Sequence, residues 1–123
     1  ECSYIHAEGL SGGAMKHGPF ALLSEDATKR TPVIMIVLDD EHAQTMRTAA
    51  EEIKARNGQV HVITDDRSLA EGLDDDPIII PRNGRLTALI AVLPLQFIAY
   101  ELSVRRGIDP DYPRHLAKSV TVD

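Results

Sequence analysis

The chain has 123 residues, with 13 Lys and Arg against 19 Asp and Glu and a formal charge of −6. That length allows one compact domain with its own core, and the acidic balance excludes a general nucleic-acid binder, whose phosphate contacts need clustered cations. Cys2 is the single cysteine, so no internal disulfide can form, and a reduced, cytoplasmic setting is expected.

ECSYIHAEGL, residues 1–10, has no initiator Met and begins in a helix-like pattern. It predicts a helix end stopped by Gly12-Gly13, and a piece of a longer protein. In MKHGPFALLSED, Gly18-Pro19 breaks the chain and Pro19 opens a short helix over Phe20 to Leu23. PVIMIVL, 32–38, is a continuous β-branched run, the pattern of a parallel strand buried on both faces. Asp39 or Asp40 is the expected cap of a helix over 41–56. Met46, Ala50 and Ile53 form its apolar stripe. Asn57-Gly58 ends it, with the glycine suited to the left-handed cap. QVHVIT, 59–64, is a second strand; DDRSLAEGLDDD is a polar connection that could hold a helical turn; PIIIP, 77–81, is a short third strand between prolines.

A long helix is expected over 85–106, with Leu86, Leu89, Ile90, Leu93, Phe97 and Tyr100 as its stripe. Pro94 should kink it, and Gly107 should end it. Gln96, Tyr100, Glu101 and Ser103 interrupt its apolar run, so no membrane partner is expected. Strand, helix, strand, strand, helix is an α/β order with short connections.

The five histidines, His6, His17, His42, His61 and His115, show no ligand spacing, so no metal site is expected. His61 reads as a strand side chain and His42 as a solvated one. His17 sits in MKHGP, a turn that could hold an acid or base. Asp74-Asp75-Asp76 reads as a solvated loop. No Gly-rich phosphate cradle follows any strand. Lys16 and Lys118 are the lysine candidates. A lone lysine is ordinarily a solvated surface charge; Lys118 differs in lying in an apolar-flanked tail, where desolvation would favour a neutral, nucleophilic amine. Spacing alone stops at a soluble α/β domain.

Three stretches go further. ECSYIHAEGLSGGAMKHGPFAL resembles the pattern E-x-S-Y-I-H-A-E … G-E-L-K-H-G-P-L-A-L. LPLQFIAYELSVRRGIDPDYPRHLAKSVTVD resembles P-L-Q-L-L-A-Y … R-G-x-D-x-D-x-P-R-N-L-A-K-S-V-T-V-E. PVIMIV and RNGQVHVI fit the region between them. Together they resemble the C-terminal end of the isomerising glutamine–fructose-6-phosphate aminotransferases, over the whole chain. K-H-G-P occurs widely in sugar-isomerase (SIS) domains; the terminal P-R-x-L-A-K-S-V-T-V-acid block is far more specific.

The resemblance implies a SIS-type three-layer αβα fold with a central, mainly parallel sheet and an ordered C-terminal tail. Residues 1–107 would be the second SIS subdomain, N-terminally truncated, and 108–123 an active-site tail. Lys118 matches the family's Schiff-base lysine, and Glu1 the carboxylate that moves a proton between C1 and C2 of the sugar. His17 matches a histidine that assists ring opening from the neighbouring subunit, and Ala117 a backbone position beside the sugar. The implied substrate is a sugar phosphate, fructose 6-phosphate, with glutamine as nitrogen donor. The implied assembly is a homodimer through SIS domains, and no cofactor is expected.

Ala14 replaces the family's Glu, Met15 its Leu, His115 its Asn and Asp123 its final Glu. The glutaminase domain and the first SIS subdomain, which carries the phosphate loop, do not lie in these 123 residues. A non-catalytic sugar-phosphate-binding SIS module, or another SIS isomerase or deaminase, remains the alternative.

Overall fold

A computed structural model describes residues 2–26 and 28–112. They fall into two compact units. One is Gly9–Val92; the other combines the chain's start, up to Glu8, with the part from Leu93 onward.

In the larger unit, β1 (Pro32–Ile36), β2 (Gln59–Thr64) and β3 (Ile78–Ile79) form a parallel sheet in the order β1-β2-β3. Pro32 pairs with Gln59 and Ile36 with Ile63; Ile63 pairs in turn with Ile78. The Val37 N–H donates one further bond to the Ile63 carbonyl at 2.9 Å. Parallel neighbours need a crossover, and α1 (Ala43–Ala55) supplies it between β1 and β2. Ala49, Ala50 and Ile53 of α1 are buried with Met35, Val37, Val60 and Val62 from one sheet face, together with Met15, Ala70 and Leu73. This is the anticipated α/β class with a parallel sheet flanked by helices.

Alternation along the strands puts Ile34, Ile36, His61, Ile63 and Ile78 on the other face. Ile63 is fully buried there, whereas Ile34 and Ile78 stay about two-fifths exposed, at 39% and 41%. β1 is therefore not buried on both faces along its length. His61 points outward, as a strand side chain should.

Several local expectations need correction. Among the described residues no helix precedes Gly12: Tyr4 takes a left-handed φ of 51°, which breaks helical sense. Gly12-Gly13 instead open a 3₁₀ helix, Gly12–His17. α1 begins after His42 with no side-chain cap on the helix itself. Asp40 accepts the His42 N–H at 2.8 Å, closing the turn before the helix. At the other end the left-handed residue is Asn57, φ 66°, not Gly58. The Asn57 N–H bonds to Lys54 O and the Gly58 N–H to Ile53 O, the paired bonds of a Schellman end. Asn57 suits that place because its amide also donates to the carbonyls of Ser24 and Asp26, at 3.1 and 3.2 Å. Gly58 is required for space, since a Cβ there would run into the γ2 methyl of Ile53.

The connection after β2 is the expected polar one and contains a helical turn; Asp75 and Asp76 are exposed as read, whereas Asp74 is half-buried. Asp66 caps a 3₁₀ turn, Arg67–Ala70, by accepting the Ser68 N–H. Arg47 of α1 donates to the carbonyls of Ser68, Leu69 and Glu71, and Lys54 to those of Gly72 and Leu73. Asp74 accepts the Val62 N–H at 2.7 Å. β3 reaches only Ile63 and Thr64, so the carboxylate satisfies a donor that the short strand leaves open.

The long C-terminal helix is two helices, α2 (Thr87–Ile90) and α3 (Val92–Arg105). The break precedes Pro94, as expected from a proline ring that clashes with the carbonyl four residues back, here Ile90. Gly107, φ 69°, ends α3, with Gly107 N bonded to Val104 O and Ile108 N to Ser103 O. The expected apolar stripe is solvent-facing: Leu86, Leu89, Leu93, Phe97 and Tyr100 are all exposed, Phe97 to 70%. By length and composition the 22-residue run Gly84–Arg105 is long and apolar enough to cross a membrane.

Candidate functional site

The K-H-G-P turn is built from two 3₁₀ helices that meet at one glycine. Gly12–His17 ends at Gly18, and Pro19 opens the second, Pro19–Leu22. Gly18 has φ 134°, where any side chain is strained, and Pro19 pre-sets the next φ. Met15 is buried in the core cluster and anchors the turn. Lys16 pairs with Glu52 of α1 at 3.0 Å. His17 is exposed and makes no hydrogen bond or ion pair among the described residues. The turn thus holds a histidine outward on a fixed backbone, and keeps the adjacent lysine occupied.

A second constellation lies at the carboxyl ends of the three strands, where open α/β sheets carry their ligands. Arg82, after β3, reaches Asp39 after β1 at 2.6 Å, and Asp65 and Asp66 after β2 at 3.2 and 3.8 Å. The Asp65 carboxylate is 3% exposed and also accepts the Asp39 N–H at 2.8 Å. Hydrogen bonding by Ser68 holds the Asp66 carboxyl below its ordinary value, with a smaller contribution from Arg82. Three carboxylates around one guanidinium leave no spare cation for a phosphate, so this corner ties the strand ends together. Nothing in the spacing of the sequence marks it; the available signal was an acid after each of two strands and an arginine after the third.

Beside it an open groove of about 400 Å³ runs between the end of β1 and the first turn of α1, lined by Ser11, Gly12, Ile36, Asp40, His42 and Met46 among others. The start of a helix favours anions, but Asp40 already places its own carboxylate there. The groove therefore does not supply the missing phosphate cradle. Among the described residues no three ligating side chains converge to hold a metal.

In the smaller unit, Ser103 of α3 is fully buried and donates its hydroxyl to the Cys2 carbonyl at 2.6 Å. Sequence reasoning treated this serine only as an interruption of an apolar run. Of the expected site residues, His17 alone lies among those described; Glu1, Ala117 and Lys118 lie outside them, as does His115.

Comparison with known proteins gives a consistent result. The family model described as SIS domain matches residues 1–106. A glutamine–fructose-6-phosphate aminotransferase [isomerizing] of Lactiplantibacillus plantarum is 45% identical, covering 100% of this chain and 19% of the relative. The Synechocystis counterpart is 44% identical with the same coverage, 100% and 19%. A probable counterpart from Acanthamoeba polyphaga mimivirus is 42% identical, covering 100% of the chain and 20% of the relative. Among solved structures, the C-terminal domain of the glucosamine-fructose-6-phosphate aminotransferase of Francisella tularensis superposes with a TM-score of 0.71 at 30% identity, over 90% of this chain and 31% of that one. The chain spans about a fifth of the length of the curated relatives it matches.

Proposed function

The chain belongs to the SIS domain family, and on that footing we propose that it is the C-terminal isomerase part of a cytoplasmic enzyme that makes glucosamine 6-phosphate and glutamate from fructose 6-phosphate and glutamine. The observation that carries this reading is the match to isomerising aminotransferases over the full chain, including the PRHLAKSVTVD block.

In this reading the Lys118 amine adds to the C2 carbonyl of the open-chain ketose phosphate, and water leaves as the imine forms. Ammonia released from glutamine then takes the nitrogen position at C2 and frees the lysine. The Glu1 carboxylate takes a proton from C1 and returns it to C2, so the C1 hydroxyl ends as the aldehyde. His17 assists ring opening in the site of a second subunit. Its outward setting on a fixed turn supports that role. The Lys16–Glu52 ion pair, at 3.0 Å, favours Lys118 over Lys16 as the amine. Ala117 offers backbone contact beside the sugar. The phosphate grip comes from the rest of the enzyme, in keeping with a strand-end corner whose arginine is already neutralised.

The test uses the full-length enzyme. Borohydride added with fructose 6-phosphate should leave a sugar adduct on the tryptic peptide that contains Lys118. Lys118→Arg keeps the charge but not the nucleophile; it should abolish sugar isomerisation and spare glutamine hydrolysis. An adduct on Lys16, or near-normal turnover by the arginine variant, would overturn the assignment. Sugar-phosphate binding with no turnover in the wild-type enzyme would instead favour a non-catalytic module.

A further inference from the structure

We propose that Ser103 is a positioning residue for the proton transfer, acting through the backbone that carries Glu1. The inference rests on the isomerase reading above.

A serine inside a helix normally bonds the carbonyl four residues back in its own helix, or faces water. Ser103 does neither. It is fully buried, and its hydroxyl reaches 101 residues back in sequence to the Cys2 carbonyl at 2.6 Å. A hydroxyl has one proton to give. The contact to the Ile108 carbonyl is longer, 3.3 Å, so the Cys2 bond is the donated one.

Both segments that meet at this side chain are tightly specified. On the N-terminal side, Cys2 follows Glu1 directly, Ser3 is buried, and Tyr4 turns the chain with a left-handed φ of 51°. The Cys2 carbonyl, held by Ser103, belongs to the residue that is joined to Glu1 in the chain. On the C-terminal side, the Ser103 carbonyl accepts the Ile108 N–H at 3.0 Å. That bond closes the end of α3, from which the segment leading to Lys118 departs. One residue therefore ties together the two chain segments that lead to the proposed base and the proposed amine. Its hydroxyl acts on the first and its backbone carbonyl on the second. A substitution that removes only the hydroxyl should disturb chiefly the first, since its contact to the second is the longer one, 3.3 Å.

Proton abstraction from carbon demands close placement, and a misplacement of about 1 Å can cost roughly 100-fold in rate. In the full-length enzyme, Ser103→Ala is expected to lower kcat for glucosamine 6-phosphate formation by ~10- to 100-fold. KM for fructose 6-phosphate should stay within about twofold, because substrate affinity and base placement are separate terms. Glutamine hydrolysis in the same molecule should be unchanged, and thermal melting reports whether the domain that carries Ser103 is folded. Ser103→Cys, of similar size and with a weak donor, serves if the alanine variant is insoluble, and the same split is expected.

The decisive readout is exchange of the C1 proton with deuterated solvent. Ser103→Ala should slow it in the wild-type background and add no further loss to Glu1→Gln, since both act on one step. If Glu1→Gln slows exchange but Ser103→Ala changes kcat less than twofold, the positioning role is wrong while the isomerase reading stands. A loss of isomerisation accompanied by unfolding of the domain at the assay temperature in both the alanine and the cysteine variant would reduce Ser103 to a structural residue and overturn the proposal. If Glu1→Gln itself leaves exchange untouched, it is the isomerase reading that fails.

Discussion

Replacing Arg82 by methionine removes the cation shared by Asp39, Asp65 and Asp66 while keeping much of the side-chain stem. The three contacts are unequal. Asp39 is about half exposed, at 48%, and an exposed pair contributes roughly 0.2–1 kcal/mol; the Asp66 contact is the longest of the three, at 3.8 Å, and adds least. Asp65 is 3% exposed, and a hydrogen bond to a charged group there contributes about 1.5–3 kcal/mol. Arg82 is itself half exposed, so water screens part of the gain and the fully buried limit does not apply. The contacts share one guanidinium and are not additive. A loss of about 3 kcal/mol is expected for Arg82→Met, or a Tm lower by roughly 10 °C for a domain of this size.

The assay is urea unfolding followed by circular dichroism, at 0.1 and 1 M NaCl. Most of the difference should survive high salt, because screening acts on exposed pairs and less on the buried carboxylate. Adding Asp65→Asn to Arg82→Met should recover part of the loss. The amide oxygen can still accept the Asp39 N–H, and no buried charge is left stranded. A difference under about 0.5 kcal/mol, or one that vanishes in 1 M salt, would refute the argument that the buried arm dominates.

Two carboxyls, Asp66 in this corner and Asp26 before β1, make acid sensitivity directional. Hydrogen bonds from Ser68 and Thr28 lower the Asp66 and Asp26 carboxyls below their ordinary values. Each therefore adds stability above the unfolded carboxyl range and loses it as pH falls through the lowered folded value. Ser68→Ala and Thr28→Ala should raise the carbon-13 carboxyl titration midpoints of Asp66 and Asp26 respectively; unchanged midpoints would discard the assigned causes. Gly58→Ala places a methyl against the Ile53 side chain and 3.0 Å from its carbonyl, and about 1–3 kcal/mol of destabilisation is expected from overpacking. Thermal melting checks it, and a neutral result would mean that the turn after α1 relaxes freely.

Much of the fold was legible because its signals are local. PVIMIVL and QVHVIT carry β-branched runs that suit strands, and the stripe Met46, Ala50, Ile53 follows the helical period. The break before Pro94 follows from proline stereochemistry alone. The K-H-G-P turn was also readable, because Gly and Pro restrict the backbone whatever surrounds them. Other readings failed for lack of a partner in the window. Asp74 looked solvated because its acceptor role depends on β3 starting too late to meet Val62. Gly58 was assigned the left-handed angle, but packing against Ile53 reserves that place for a residue without Cβ, and Asn57 turns instead.

The sequence by itself determined the strand–helix–strand order of β1, α1 and β2, the histidine-bearing turn, and, by resemblance, the residues proposed for catalysis. Tertiary structure alone decided what those elements touch. Periodicity groups Leu86, Leu89, Leu93 and Phe97 on one stripe, yet only the folded chain shows that stripe facing outward. Asp39, Asp65 and Arg82 become one network only when three parallel strands end side by side. Ser103 and Cys2, 101 residues apart, become partners only when α3 packs against the chain's start. Backbone preference is carried by each residue and its near neighbours. Burial, charge pairing and long-range hydrogen bonds depend on groups that only chain closure brings within a few ångströms.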